Sequence, residues 1–138
     1  MKNQKGITLV ALVITIIVLL ILAGVSISLV VGQNGVLTQA SNAVSTQNEA
    51  SAKQEIEMAA AACYTEYMTA WAQNGTSDRA AYFTKDKMDA NMNNGTVSTP
   101  TVASNKGSYE YTLKTNPNNL SGGKLSFTID YSTGKVEY

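Results

Sequence analysis

The sequence predicts an α+β fold, in which a long N-terminal helix with a transmembrane half and an amphipathic half packs on a small C-terminal three-stranded antiparallel sheet. Three observations predict it. Ile7 to Val31 is a mostly apolar run of 25 residues with no Asp, Glu, Lys or Arg. Val36 to Ala72 contains no Gly or Pro and many alanines, the best helix former. In the last third the period changes to two, since Tyr109, Tyr111 and Leu113, and then Leu125, Phe127, Ile129 and Tyr131, alternate with polar neighbours.

The first run is long enough to cross a bilayer, because 25 helical residues extend about 37 Å against about 30 Å of hydrocarbon. Lys2 and Lys5 flank its N-terminal end, and no further Lys or Arg occurs until Lys53. That asymmetry predicts a single-pass membrane protein with a cytoplasmic N-terminus. Three fates compete: a permanent anchor, an ordinary secretory signal peptide, and a segment trimmed just before its apolar part. The apolar core is too long for an ordinary signal peptide, and the small-x-small option Ser26-Ile27-Ser28, which would leave a chain starting near Leu29, lies inside the run rather than after it.

The opening Lys5-Gly6-Ile7-Thr8-Leu9, placed directly before the long apolar helix, resembles the type IV prepilin and type II secretion pseudopilin family. The continuation Val13-Ile14-Thr15-Ile16-Ile17-Val18-Leu19-Leu20-Ile21-Leu22-Ala23-Gly24-Val25 looks like its clostridial-type Gram-positive variant. The resemblance implies a leader at 1–6, cleavage by a prepilin peptidase between Gly6 and Ile7, and N-methylation of Ile7. It implies that 7–31 is first an anchor and then a filament core, with Thr8, Leu9, Ala11, Leu12, Leu19, Leu20 and Gly24 on the assembly helix. Implied partners are the peptidase, an assembly platform with its ATPase, and copies of the chain or sibling pilins; no cofactor is implied.

Most members of the family carry a glutamate as the fifth mature residue, where this chain has Ala11. That carboxylate is thought to neutralise the amine of a neighbouring subunit, since a charge left unpaired in hydrocarbon is costly. With Ala11 the amine needs another acceptor, such as the Thr8 hydroxyl or a backbone carbonyl, or the subunit occupies a special place such as a filament tip.

Beyond the span, Gly32-Gln33-Asn34-Gly35 predicts a kink or melted turn, because each glycine costs a helix about 1 kcal/mol relative to alanine. Gly32 and Gly35 are candidate hinge residues. Residues 32–73 are expected to form a stalk and a head-packing helix, supported by Glu49 and Lys53 at i, i+4. Val36, Ala40, Ala43, Val44, Ala50, Met58, Ala61, Ala62 and Met68 mark an apolar stripe, and Ile56, Met58, Cys63, Tyr64, Tyr67, Met68 and Trp71 are the large residues expected to pack on the head. Residues 74–138 form the head. Asn74-Gly75-Thr76-Ser77 ends the helix, and Arg79 to Met92 is expected to be a short amphipathic helix capped by Ser77 or Thr84. Asn91 to Gly107, with Pro100, reads as an exposed loop. Asn116 to Gly123 joins the two main strands, and Ser132-Thr133-Gly134 turns the chain into a last strand around Val136 and Tyr138.

Composition narrows the functions available. There is no histidine, so the usual general base near neutral pH and the commonest transition-metal ligand are absent. The single cysteine, Cys63, cannot form an intramolecular disulfide and is expected to be buried in the helix. Ten acidic residues match ten basic ones, and loss of Lys2 and Lys5 with the leader leaves eight basic against ten. No nucleic-acid surface is expected. Asp89-Ala90-Asn91-Met92-Asn93-Asn94-Gly95 imitates a calcium loop only loosely, because the twelfth position is Pro100 rather than a glutamate. Tyr109, Tyr111, Tyr131 and Tyr138 are expected to pack the sheet. The sequence therefore predicts a structural filament subunit rather than an enzyme, with no metal site, the alternative being a membrane-anchored extracellular binding domain that forms no filament.

Overall fold

A computed structural model describes the backbone of residues 2–138 and the side chains from Lys5 onward. Of the expected 1–6 leader, Met1 and the side chains of Lys2, Asn3 and Gln4 therefore lie outside the described residues. The chain divides into two compact units, one ending at Ala43 and the other running from Val44 to Tyr138.

In the first unit, helix α1 spans Lys2–Val31 and helix α2 begins at Val36. The predicted break between them is present as an ordered turn. The Gly32 N–H donates to the Ser28 carbonyl at 2.9 Å, closing the last turn of α1, and the Gly32 carbonyl accepts from the Gly35 N–H at 2.7 Å and the Thr38 hydroxyl at 3.0 Å. Gly35 is buried, and a Cβ there would lie 2.5 Å from the Val30 carbonyl oxygen. Only glycine permits that approach.

The second unit is the head. Helix α2 continues to Asn74, where Gly75 at φ +65° ends it and donates its N–H to the Trp71 carbonyl at 2.8 Å. The predicted helix after it is divided: Ala80–Tyr82 form a 3-10 turn, and α3 covers Lys85–Ala90. Thr84 separates them because its extended backbone cannot continue a helix, and its hydroxyl accepts from the Lys87 N–H as the N-cap.

The sheet has five strands rather than the three expected. They are β1 (Gly95–Val97), β2 (Thr101–Ala103), β3 (Lys106–Leu113), β4 (Leu125–Asp130) and β5 (Lys135–Glu137), with β3 paired to β1 and β2 on one side and to β4 on the other, and β5 outside β4. All pairings are antiparallel. The two extra strands lie inside the segment expected to be a loop. Thr96, Val97, Thr101 and Val102 supply β-branched side chains there, and Ser104 and Asn105, both at positive φ, form a two-residue hairpin turn into β3. The outer edge of β1 is blocked by α3: Asp89 accepts the Val97 N–H at 2.8 Å and Lys85 donates to the Val97 carbonyl at 2.8 Å. An edge capped in this way has fewer backbone groups to offer another strand.

Large side chains from the sheet and small ones from α2 fill the core. Tyr109, Tyr111, Phe127, Ile129 and Tyr131 are buried against Ala52, Ile56, Ala59, Ala60 and Cys63 of the helix, with Phe83 and Met88 closing the side. Tyr109 and Phe127 face each other in the β3–β4 register and stack with centroids 5.2 Å apart. The Tyr109 hydroxyl donates to the Phe83 carbonyl and lies 2.8 Å from the Tyr131 hydroxyl, so the polar ends of two buried rings are satisfied. Tyr138 is half exposed, with Lys53 over its ring at 5.0 Å. Cys63 is buried with its sulfur 3.7 Å from that of Met88; burial, reinforced by Glu66, pushes the thiol up to about 11.

The α2 face that meets the sheet matches the expected one only in part: Ile56, Cys63 and Tyr67 are buried as expected. The buried stripe is Ala52, Ile56, Ala59, Ala60, Cys63 and Tyr67, whereas Met58, Met68 and Trp71 are exposed. With four aromatic rings from the sheet already in the interior, the helix sits close on small residues and its larger apolar side chains point away.

Candidate functional site

The sequence locates the functional chemistry in α1, and the structure places those residues on one continuous helix. Lys5, Gly6 and Ile7 lie near its start, and all the described side chains from Lys5 to Val31 are exposed in the single chain. Ile7 is 68 % exposed, Leu19 59 % and Leu20 67 %. A helix apolar on every side has no wet face, so it needs hydrocarbon or other helices around it. Its length, about 45 Å for 30 residues, is more than enough to cross a membrane.

Two polar side chains of this helix are turned back onto its backbone. The Thr15 hydroxyl donates to the Ala11 carbonyl at 2.7 Å, and the Ser26 hydroxyl donates to the Leu22 carbonyl at 2.7 Å. Ala11 offers no side-chain acceptor, and its carbonyl already serves the helix and Thr15.

The glycines separate into two kinds. A Cβ built at Gly6 or at Gly24 would meet nothing within 4 Å, whereas one at Gly32 or Gly35 would meet the chain's own backbone at 2.5 Å. Glycine at positions 6 and 24 is therefore not required by this chain's own packing, and each costs α1 about 1 kcal/mol of helix propensity. Gly6 weakens the helix beside the Gly6–Ile7 bond. At Gly24 the surface is open to close approach from outside. Gly32 and Gly35 instead build the turn between the helices.

On α2, the face opposite the core is uncharged over six turns. Ala50, Gln54, Met58, Ala61, Thr65, Met68 and Ala72 follow one another at spacings of four, four, three, four, three and four, and all are exposed. The Thr65 and Thr69 hydroxyls donate to the Ala61 and Thr65 carbonyls, which turns the hydroxyls of this face back onto the helix. The charges of this helix lie at its flanks, where Glu49 pairs with Lys53 at 3.0 Å and Glu66 pairs with Lys87.

One side chain that the sequence did not single out organises the head beside α2. Glu55 accepts the backbone N–H groups of Asn93 and, at 2.7 Å, Asn94 with one carboxylate oxygen, and the Tyr111 hydroxyl with the other. It ties the helix to the start of β1. Among the described residues no group of three or more His, Cys, Asp or Glu side chains is gathered to hold a metal ion.

Comparison with known proteins agrees with this geometry at the N-terminus. A family model described as the prokaryotic N-terminal methylation motif matches residues 1–27. The chain thus carries a prepilin-type cleavage and methylation segment, which is the N-terminal signature of a type IV pilin-like prepilin. No curated protein and no solved structure matches the chain.

Proposed function

We propose that this prepilin-type chain is a structural subunit of a surface filament, a type IV pilus or a secretion pseudopilus, rather than an enzyme. The observation that carries the proposal is the junction itself: within α1, Lys5-Gly6 immediately precedes the apolar run, which is exposed on all sides, at a glycine that the chain's own packing does not need. A peptidase must reach the Gly6–Ile7 bond in an opened backbone, and glycine lowers the cost of unwinding that first turn. Cleavage there removes Lys5 and makes Ile7 the new, N-methylated terminus. The helix from Thr8 onward then passes from membrane to filament core without exposing apolar surface to water.

Several features support assembly. Gly24 allows close helix approach, and the uncharged outer face of α2 from Ala50 to Ala72 suits contact with further helices. The Gly32–Gly35 turn is the joint at which the anchor segment adjusts to its neighbours. The orientation follows from Lys5 and Lys2, with the N-terminus cytoplasmic and the head on the outer surface. The partners are a prepilin peptidase, an assembly platform with its ATPase, and copies of this chain or sibling pilins.

Ala11 is the one feature that favours the alternative, an anchored extracellular domain that never polymerises, because no side-chain carboxylate in α1 is available to meet a neighbour's amine. Substituting Gly6 separates the two. In the native host, Gly6→Leu is expected to leave the leader attached and to abolish filaments. A Gly6→Leu chain processed and surface-displayed like the original would contradict the filament reading.

A further inference from the structure

The head contains a cleft of about 520 Å³ that the processing and assembly chemistry does not use. It opens between α2 at Asn48 to Glu55, the corner at Asn93 and Asn94, and the segment after β3 that runs to Asn119. Five of its lining side chains are carboxamides: Asn48, Asn93, Asn94, Asn116 and Asn119. Ser51 and Thr115 add hydroxyls, and Leu113 adds a small apolar surface.

The two charged residues in the lining are already engaged. Both oxygens of Glu55 accept hydrogen bonds, from Asn93, Asn94 and Tyr111, and the Lys114 ammonium donates to the Met92 carbonyl at 3.3 Å and the Asn93 carbonyl at 3.2 Å. Glu55 and Lys114 are thus both tied by hydrogen bonds to neighbouring groups of the head. By contrast, among the described residues the side-chain amides of Asn93, Asn94, Asn116 and Asn119 form no hydrogen bond, while the Asn48 amide is spent on the Asn119 carbonyl at 3.2 Å. Asn116 sits at φ +52°, a conformation asparagine tolerates better than most residues, and this orients the last part of the lining.

A carboxamide presents a donor pair and an acceptor side by side, which matches the adjacent hydroxyls of a pyranose ring. Leu113 can meet the C–H surface of such a ring. An apolar ligand would leave these amides unpaired at a cost. We infer that this cleft binds an oligosaccharide through its ring hydroxyls, held by the Asn93, Asn94, Asn116 and Asn119 side chains.

The inference does not depend on filament assembly and is tested on the full chain in phosphocholine micelles, which carry no sugar headgroup to compete. Cellotriose, maltotriose and the trimer of N-acetylglucosamine are titrated separately while backbone and Asn side-chain amide signals are followed. At least one of them is expected to shift the cleft amides saturably, with a dissociation constant of about 1 mM or tighter. Asn116→Gly, which keeps the backbone conformation accessible, and Asn119→Ala are each expected to weaken that binding about 2- to 10-fold, the loss of one neutral hydrogen bond, with the thermal unfolding midpoint unchanged. No saturable shift with any of the three sugars overturns the inference. So does binding unaffected by both substitutions, or shifts at the cleft produced by an uncharged Asn/Ser peptide and not by the sugars, which would assign the cleft to a protein partner.

Discussion

The two long helices solve the problem of apolar surface differently. In α1 the burial is supplied from outside: Leu20 is 67 % exposed and has no partner surface in its own unit. In α2 half of the burial is internal, since Ile56 is fully buried against the sheet while Met58, two residues on, is 66 % exposed. Large apolar residues therefore mean different things in the two helices. In α1 they specify a medium. In α2 it is the small residues, Ala52, Ala59 and Ala60, that mark the fold, and the larger outward ones mark a surface left for contacts.

Breaking the internal side of this contrast has the largest expected effect. Ile56→Ala should lower the unfolding free energy of the head by about 2–5 kcal/mol, measured by urea denaturation, because the core around it is filled and cannot collapse fully. The corresponding change in α1, Leu20→Arg, should leave head unfolding unaltered while disfavouring membrane insertion by about 3–4 kcal/mol, read as the inserted fraction in a membrane-integration assay. Equal damage to the head from both substitutions would erase the distinction between the helices.

A smaller effect is expected at Glu55. Glu55→Gln exchanges an acceptor-only group for one that brings N–H donors to the Asn93, Asn94 and Tyr111 donors, at a cost of about 1–3 kcal/mol, and amide exchange should rise at Asn93 and Asn94 before the rest of β1. Uniform acceleration across the sheet would indicate that Glu55 is not a local tie. Smallest of all, Met58→Lys should change head stability by no more than about 0.5 kcal/mol, yet reduce filament yield if the outer face of α2 is a contact surface. A strongly destabilised head would place Met58 in the core instead.

The contrast also explains what the sequence revealed. The span at Ile7 to Val31, the break at Gly32 to Gly35, the helix end at Asn74 and the alternating strands around Tyr109 and Phe127 were legible because each rests on a local signal: hydrophobicity, glycine, or period. The inner face of α2 was legible only in part, at Ile56, Cys63 and Tyr67. Met58, Met68 and Trp71 look like core residues until the volume of Tyr109, Tyr111 and Tyr131 is known, and that volume is set by strands far along the chain. Strands β1 and β2 were hidden for a related reason, since three-residue strands among Asn, Ser and Thr have too little alternation to stand out, and only pairing to β3 defines them. Glu55 carried no signal at all, because the N–H groups it holds are 38 and 39 residues away. At the N-terminus, the prepilin-type segment was readable because its signal, a short basic opening before a long apolar run, is local and owes nothing to the fold.

The central claim is that α1 is trimmed and re-used as a filament core, and intact-mass and N-terminal peptide analysis of the protein recovered from the surface of its own host tests it most directly. The account predicts a mature chain beginning at Ile7 and one methyl group heavier than the unmodified peptide. A surface protein still beginning at Met1, or one beginning near Leu29, would contradict it.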